Sequence, residues 1–128
     1  MEQVTLGERE VDVMTALWAH GPGTVAEVRE RLPASLAYNT VLTILRNLEA
    51  KGLVDHEPEG RVHRYFPVAT QQAVKQSAVA RLVSKFFAGS PVDVVAHLLE
   101  NGSLSPDELR ELHQHLDARL RDVEGARS

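Results

Sequence analysis

The sequence predicts a mainly α-helical protein with one small β-hairpin, and three observations lead to this fold class. Helix-capping pairs, in which Gly, Thr or Ser precedes Glu by three residues, occur at Gly7, Thr24 and Ser105. Apolar residues recur at three- and four-residue spacing after each pair, which is the period of an amphipathic helix. One β-rich stretch, residues 53–68, contains a central group of turn-forming residues and predicts two strands.

The composition is typical of a soluble protein of the cytoplasm. The chain has 128 residues, of which 43% are hydrophobic and 25% charged, and it contains no cysteine. A chain of this length buries roughly two-thirds of its unfolded surface, so its core needs no disulfide or metal. The absence of cysteine excludes thiolate metal clusters and disulfide chemistry. Since no apolar run approaches the roughly 20 residues that span a bilayer, we expect no membrane partner.

The first 69 residues are predicted to form three short helices followed by the hairpin. The first helix starts at Gly7 and ends near Ala19, the second starts at Thr24 and ends at Pro33, and the third lies between residues 36 and 52. Strands are predicted at residues 53–56 and 62–68, with the turn at the Glu-Pro-Glu-Gly group of residues 57–60. Two strands alone are marginally stable in water, so the hairpin is expected to pack on the helices.

The third helix has one apolar side and one polar side. Val41, Ile44, Leu45 and Leu48 recur at the helical spacing and are expected to face the core. The rest of the circumference carries mostly short hydrogen-bonding side chains instead of the Glu and Lys mixture of an ordinary solvated face: Asn39, Thr40, Thr43, Arg46 and Asn47. This polar face is predicted to contact a ligand.

Three helices followed by a two-stranded hairpin is the plan of a winged helix-turn-helix domain. In that plan the third helix enters the major groove of DNA and the hairpin, or wing, lies along the backbone. The polar face suits base edges, because threonine offers a hydroxyl and a methyl, arginine pairs with guanine and asparagine pairs with adenine. Arg61, His63 and Arg64 on the wing are candidate phosphate contacts, although strand alternation directs Arg64 to the opposite face.

Residues 70–128 are predicted to form only helices and to act as a dimerisation domain. Two apolar faces, one in the first and one in the last of these helices, are too extensive for so small a tail to cover by itself. The residues predicted to form the contact between two copies are Val79, Leu82, Val83, Phe86, Phe87, Leu109, Leu112, Leu116 and Leu120. A dimer with two-fold symmetry would bind double-stranded DNA at an inverted-repeat operator.

Two other classes of function were weighed against DNA binding. A formal net charge of −4 favours a winged-helix protein-interaction module, whose third helix and wing contact a protein without direct DNA binding. An enzyme is not expected, because phosphate-binding, nucleophile-elbow and zinc-protease motifs are all missing from the sequence. No cofactor or metal site is expected either, since His113 and His115 point to different sides of a helix. His56 and His63 face each other across the predicted hairpin. Packing within the wing or contact with phosphate is favoured there over metal coordination.

Several of these segments resemble the BlaI/MecI/CopY penicillinase-repressor family. They are LGEREVDVM at 6–14 with LW at 17–18, YNTVLTIL at 38–45 with Leu48, KGLV at 51–54, and GR at 60–61 with YFP at 65–67. The resemblance covers the whole chain and is strongest over residues 6–68. It implies a dimeric transcriptional repressor that binds a palindromic operator, of beta-lactamase-type or other stress-response genes. It also implies that Thr40 and Thr43 face DNA and that Arg61 is the basic residue of the wing.

The chain also departs from this family's pattern. Family members commonly carry arginine just before the last leucine of the third helix, where this chain has Asn47 and places arginine one position earlier, at Arg46. One residue turns a helical side chain by about 100°, so the operator sequence cannot be transferred. The bond cleaved during induction in the penicillinase-repressor branch aligns near residues 97–98, which do not match, and the copper-responsive branch's cysteine site cannot form. The inducing signal and any sensor protease are therefore left open.

Overall fold

A computed structural model describes residues 5–127, with six helices and three short strands in that part of the chain. The elements are, in order, α1 (Glu8–His20), β1 (Gly23–Thr24), α2 (Val25–Arg31), α3 (Tyr38–Ala50), β2 (Val54–Glu59), β3 (Val62–Pro67), α4 (Gln71–Phe86), α5 (Pro91–Glu100) and α6 (Pro106–Arg127). The mainly helical class and the winged helix-turn-helix order are confirmed.

The capping pairs mark helix starts, as the sequence predicted. The Gly7 N–H donates to Glu10 Oε1 at 3.0 Å ahead of α1. At α2 the bonds are reciprocal, because the Thr24 N–H donates to Glu27 Oε1 and the Glu27 N–H donates to Thr24 Oγ1, both at 3.3 Å. Ser105 and its partner three residues later form the same pair of bonds ahead of α6. Each pair satisfies donors that a helix leaves unbonded at its N-terminus.

The sheet differs from the predicted hairpin in two respects. It has three strands in the order β1-β3-β2, because Gly23 and Thr24 pair antiparallel with β3. The predicted turn at residues 57–60 is wrong, since β2 continues to Glu59, which pairs with Val62. The connection is therefore the two residues Gly60 and Arg61. Gly60 has a φ of 63°, which glycine adopts without steric cost, and Pro58 is tolerated because β2 is an edge strand.

The core lies where the first three helices meet the base of the sheet. Most of the fully buried side chains belong to the first three helices: Val13, Met14 and Leu17 of α1, Val28 of α2, and Val41, Leu45 and Leu48 of α3. Those of α3 lie on its predicted apolar side. Leu53, Val54 and Tyr65 join this core from the hairpin. In addition, Trp18 Nε1 donates to the Ala69 carbonyl at 3.0 Å. The hairpin is thus fixed to the helices at its base.

The chain divides into two compact units, one that ends at Leu82 and one that begins at Val83. The first three-quarters of α4, up to Leu82, belongs to the first unit, where Val74 packs against its core. Among the described residues 70–126 no side chain is fully buried. No single described helix is long and apolar enough to cross a membrane, and only α4 and α5 taken together as a bent pair meet the criteria of length and composition.

Candidate nucleic-acid interface

The two sides of α3 differ in burial as their chemistry predicts. Val41, Ile44, Leu45 and Leu48 anchor the helix in the core. All five members of the predicted polar face are exposed: Asn39, Thr40, Thr43, Arg46 and Asn47. Because the buried side chains of α3 are all apolar, its polar side is not needed to fill the core, although Arg46 also interacts with the Tyr65 hydroxyl.

The hydroxyl of Thr43 is partly engaged within the helix. Thr43 Oγ1 donates to the Asn39 carbonyl, four residues earlier, at 2.9 Å. This bond fixes the rotamer of Thr43, and the hydroxyl oxygen can still accept a hydrogen bond. The side chain therefore presents an acceptor and a methyl group in a defined orientation, which is the combination that contacts adenine and thymine edges.

The N-terminus of α3 is open to an anion. Its N-cap residue, Ala37, has no side chain that can accept a hydrogen bond, and the first turn contains no acidic residue. By contrast, α1 and α2 both place glutamate there. The first backbone N–H groups of α3 are consequently left for solvent or for an anionic group such as phosphate.

The tip of the wing is exposed and carries basic side chains beside the glutamates of β2. Arg61 occupies the two-residue connection between β2 and β3, and its side chain is exposed. His63, also exposed, lies two residues further along β3 and its ring is in edge contact with that of His56, at a centroid distance of 4.3 Å. The predicted meeting of His56 and His63 across the hairpin is therefore confirmed.

Arg64 lies in a different environment, on the opposite face of the hairpin. Its Nη2 donates to Glu59 at 2.8 Å and to Glu27 at 3.0 Å, and its Nη1 donates to the Pro22 carbonyl at 3.3 Å. The Thr24 backbone N–H and the guanidinium of Arg64 hold the pKa of the Glu27 carboxyl below its usual value. The guanidinium thus connects the wing to α2, and most of its five N–H donors are already occupied.

The last turn of α3 and the wing share a cluster of polar side chains that the sequence did not reveal. Glu49 Oε1 and His56 Nδ1 are in direct contact, and the His56 ring lies 5.4 Å from that of Tyr65. Burial raises the pKa of the Tyr65 hydroxyl, and the nearby Glu49 carboxylate raises it further. Glu49 and His56 are seven residues apart on different elements, so no helical or strand periodicity could have paired them.

A second contact that the sequence did not reveal fixes the end of α3 to α1. Lys51 Nζ donates to both carboxylate oxygens of Glu10, at 2.8 and 2.9 Å, and to the Thr5 carbonyl at 2.9 Å. Although burial opposes ionisation, the bonds from Lys51 and from the Gly7 N–H outweigh it and keep the pKa of Glu10 below its usual value. This contact connects the C-terminal end of α3 to the first turn of α1.

The predicted dimerisation residues are mostly exposed. Val79, Leu82, Phe86, Leu109, Leu116 and Leu120 have between 40% and 78% of their surface accessible, and Val83, Phe87 and Leu112 are half-buried. The ring of Phe87 contacts His97 at a centroid distance of 5.8 Å. These helices therefore leave large apolar side chains uncovered in a single chain.

Comparison with known proteins identifies the family. The model of the penicillinase repressor family matches residues 6–118. The chain belongs to the penicillinase repressor family. It is therefore a transcriptional repressor that binds operator DNA, and not an enzyme.

Individual relatives agree with this family assignment. The repressor is 37% identical over 118 residues to the transcriptional regulator BlaI of Mycobacterium tuberculosis, a match that covers 88% of this chain and 86% of the relative. It is 30% identical over 114 residues to the penicillinase repressor of Bacillus licheniformis, which covers 88% and 89% of the two chains.

Solved structures support the fold of the repressor. The solution structure of the DNA-binding domain of the repressor BlaI matches with a TM-score of 0.50 and 29% identity, over 55% of this chain and 88% of that one. A crystal structure of MarR from E. coli matches with a TM-score of 0.51 over 90% of this chain and 78% of its own. At 18% identity, that second likeness concerns the fold alone.

Proposed function

We propose that this repressor binds an inverted-repeat operator as a homodimer, with α3 in the major groove and the wing on the phosphate backbone. The observation that carries the proposal is the division of α3 into a buried apolar side and an exposed side without acidic residues, Asn39, Thr40, Thr43, Arg46 and Asn47. A helix that enters the groove needs this arrangement, because its core contacts must not compete with its contacts to bases.

Phosphate contacts are assigned to the start of α3 and to the wing tip. The uncapped N–H groups after Ala37 favour an anion through the helix dipole. Arg61 supplies a charged donor from the wing, and His63 supplies a second polar group on the same strand. We assign Arg64 a structural role, because Glu27 and Glu59 already occupy its guanidinium. With a net charge of −4, the chain depends on these local groups for its attraction to DNA.

The homodimer is proposed from the uncovered apolar faces of residues 70–128. Phe86 and Val79 are 78% and 57% exposed, and Leu120 of α6 is 56% exposed. Soluble monomers rarely expose so many large apolar side chains in contiguous helices, and a second copy covers them symmetrically. Two α3 helices related by a two-fold axis then contact half-sites separated by one helical turn of DNA, about 10–10.5 base pairs, or by a multiple of it.

We further propose that residues 1–69 act as the DNA-binding domain and residues 70–128 as the dimerisation domain, and that the repressor acts in the cytoplasm by occupying a promoter.

Chromatin footprinting of the bound duplexes identifies the operator and the regulated genes in one experiment. The recovered sites should contain inverted repeats. Sites without two-fold symmetry would contradict binding as a symmetric dimer.

Salt dependence separates this function from that of a protein-interaction module. Binding to the recovered duplex, measured by fluorescence anisotropy, should weaken with a log-log slope of roughly −0.9 for each phosphate neutralised. A matched duplex with scrambled half-sites should bind more weakly and with a similar slope. If no duplex is bound even at low salt, the DNA-binding proposal is wrong for this chain.

A further inference from the structure

The junction between α3 and the wing brings together three potential metal ligands, and the ring of a fourth residue, His63, lies against one of them. Glu49 lies in the last turn of α3, Asp55 and His56 lie at the start of β2, and His63 lies on β3. Ligand atoms of Glu49, Asp55 and His56 all lie within 4.8 Å of one another. Three ligands from two elements thus converge on one point at the surface.

The orientation of Asp55 is unusual for its position. Neighbouring residues of a strand normally direct their side chains to opposite faces, so Asp55 should point away from His56. Instead, the backbone N–H of His56 donates to Asp55 Oδ1 at 2.8 Å, and this bond turns the carboxylate back toward the cluster. A direct hydrogen bond between Glu49 and His56 explains why these two side chains lie together. It does not explain why the Asp55 carboxylate lies beside them.

The fourth group is the imidazole of His63. His56 and His63 lie diagonally across the β2–β3 pair, because His56 is opposite Tyr65 and His63 is opposite Pro58. Their rings meet at 4.3 Å with an interplanar angle of 81°. Since the His63 side chain is exposed, its rotamer can change without disturbing the core.

The ligand chemistry selects the class of ion. Two imidazoles and two carboxylates form a tetrahedral N/O set of the kind that binds zinc, with metal–ligand distances of about 2.0–2.2 Å. Magnesium and calcium prefer sites built from oxygen ligands alone. The side chains of His56 and Glu49 are 31% and 34% accessible, so an ion can enter from solvent while it remains partly shielded.

We propose that Glu49, Asp55, His56 and His63 form a binding site for a divalent transition-metal ion such as Zn²⁺. The bound ion replaces the direct contact between Glu49 and His56 with two metal–ligand bonds. It connects α3 to both strands of the wing, in addition to the contacts of the core. None of its four ligands belongs to the polar face of α3, although His63 is also one of the proposed phosphate contacts of the wing. The titration below contains no DNA, so it tests the metal site separately from DNA binding.

Calorimetric titration of the full-length repressor with Zn²⁺ tests this site. One ion should bind per chain, and Mg²⁺ under the same conditions should give no comparable binding. His56→Ala and His63→Ala should each weaken Zn²⁺ binding by about tenfold or more, since even the loss of an outer-shell partner of a metal costs 10–100-fold. The matched control is the double variant His113→Ala/His115→Ala on α6, which should bind Zn²⁺ as the unchanged chain does.

The variant Glu49→Gln and a measurement of thermal unfolding provide a second, independent test of the metal site. Glu49→Gln keeps the shape of the side chain and removes its charge, so it should weaken Zn²⁺ binding without loss of the fold. Zn²⁺ should also raise the thermal unfolding temperature of the unchanged chain and of the α6 control, but not that of His56→Ala, because a ligand stabilises only the state that binds it. Binding that is retained in His56→Ala/His63→Ala, or that is lost in the α6 control, overturns the proposal.

Discussion

At the scale of single residues, burial distinguishes side chains that hold α3 in place from those that are available to a ligand. Leu45 and Leu48 are fully buried, whereas Thr43 and Arg46, one or two positions away, are exposed. Helical periodicity predicts this division from the sequence, because it depends only on spacing along one element. The assignment of particular residues to DNA contacts stays a prediction, and substitutions test it.

Thr43→Val should weaken operator binding by about 1–3 kcal/mol if the hydroxyl contacts a base. Valine has nearly the same shape, and Thr43 is exposed, so the free energy of unfolding should change by no more than about 0.5 kcal/mol. The measurements are anisotropy titration with operator duplex and urea denaturation. Thr15→Val, at an exposed threonine of α1, is the matched control and should bind normally. Equal affinities for the two variants would remove Thr43 from the interface.

Arg61→Ala should weaken binding to operator and to unrelated duplexes by the same factor. The residue is assigned to a phosphate, and phosphate contacts do not depend on sequence. Loss of one such contact should reduce the salt slope by roughly 0.9. Lys75→Ala, which removes an exposed cation of α4, should leave both affinity and slope unchanged. A loss confined to the operator would mean that Arg61 contacts bases.

The contact between Glu10 and Lys51 predicts a dependence of stability on pH. The folded-state pKa of Glu10 is lower than its usual value of 4.5, so the unfolded chain binds a proton more readily. The stabilisation is therefore complete above pH 4.5 and is lost as the pH falls through the lower, folded pKa. Glu10→Gln should reduce the free energy of unfolding by about 0.5–1 kcal/mol at pH 7.

Urea denaturation of both proteins at pH 7 and below pH 4.5 measures this effect. The difference between Glu10→Gln and the unchanged chain should shrink progressively as the pH falls below 4.5, because the Glu10 carboxyl becomes protonated first in the unfolded chain and then, below its lowered pKa, in the folded one as well. Glu30→Gln, at an exposed carboxylate of α2, should have little effect at pH 7. A difference that is the same at both pH values would show that the contact with Lys51 contributes no charge-dependent stability.

At the scale of elements, the position of the turn in the wing depends on how far β2 continues to pair with β3. The Glu-Pro-Glu-Gly group carries turn-forming residues, yet Glu57, Pro58 and Glu59 all pair with β3. Pro58 lacks an N–H, but an edge strand needs donors on only one side, so the pairing continues past it. The reversal falls at Gly60 because its φ of 63° is the geometry that a two-residue hairpin connection requires.

Gly60→Ala should destabilise the wing locally by about 1–2 kcal/mol, which is the cost of a left-handed conformation in a residue with a Cβ. No atom lies within 4 Å of a Cβ placed there, so the effect comes from the backbone alone. Hydrogen exchange should accelerate for the β2–β3 amides and stay unchanged in α1 and α3. The control is Gly125→Ala in α6, which should stabilise its helix by about 0.5–1 kcal/mol. Unchanged hydrogen-exchange rates of the β2–β3 amides would show that the left-handed backbone does not require glycine at position 60.

At the scale of the whole molecule, the two parts of the chain differ in how completely they bury their apolar residues. Residues of α1, α2, α3 and the hairpin form a core with no buried side-chain donor or acceptor left unpaired among the described residues. In residues 70–126, by contrast, no described side chain is fully buried. The N-terminal part thus has a complete core in one copy, whereas the helical part leaves its apolar side chains exposed, which is the basis of the proposed dimer.

Leu116→Asp/Leu120→Asp should convert the proposed dimer into monomers. Both leucines lie on the apolar face of α6 and are more than half exposed, so the charges disturb little within one chain. Sedimentation equilibrium should give the monomer mass, and affinity for the full operator should fall toward that for a half-site. Ala118→Asp, also exposed but on another side of α6, should remain dimeric. A dimeric double variant would place the contact elsewhere.

The sequence by itself determined the helices, the capping pairs at Gly7, Thr24 and Ser105, and the buried side of α3. Those features follow from contacts between residues three or four apart, which spacing makes visible, as with Thr24 and Glu27 or with Ile44 and Leu48. The resemblance to one family was also contained in the sequence, since it depends on motifs within short segments.

Only the tertiary structure decided which polar groups meet across elements. The third strand, the ion pairs of Arg64, the contact of Lys51 with Glu10 and the cluster around His56 all join residues that are far apart in sequence or on different elements. Such pairs depend on how the helices and the sheet pack, and no periodicity along a single element encodes that packing. For this reason the sequence predicted the face of α3 but neither the role of Arg64 nor the candidate metal site.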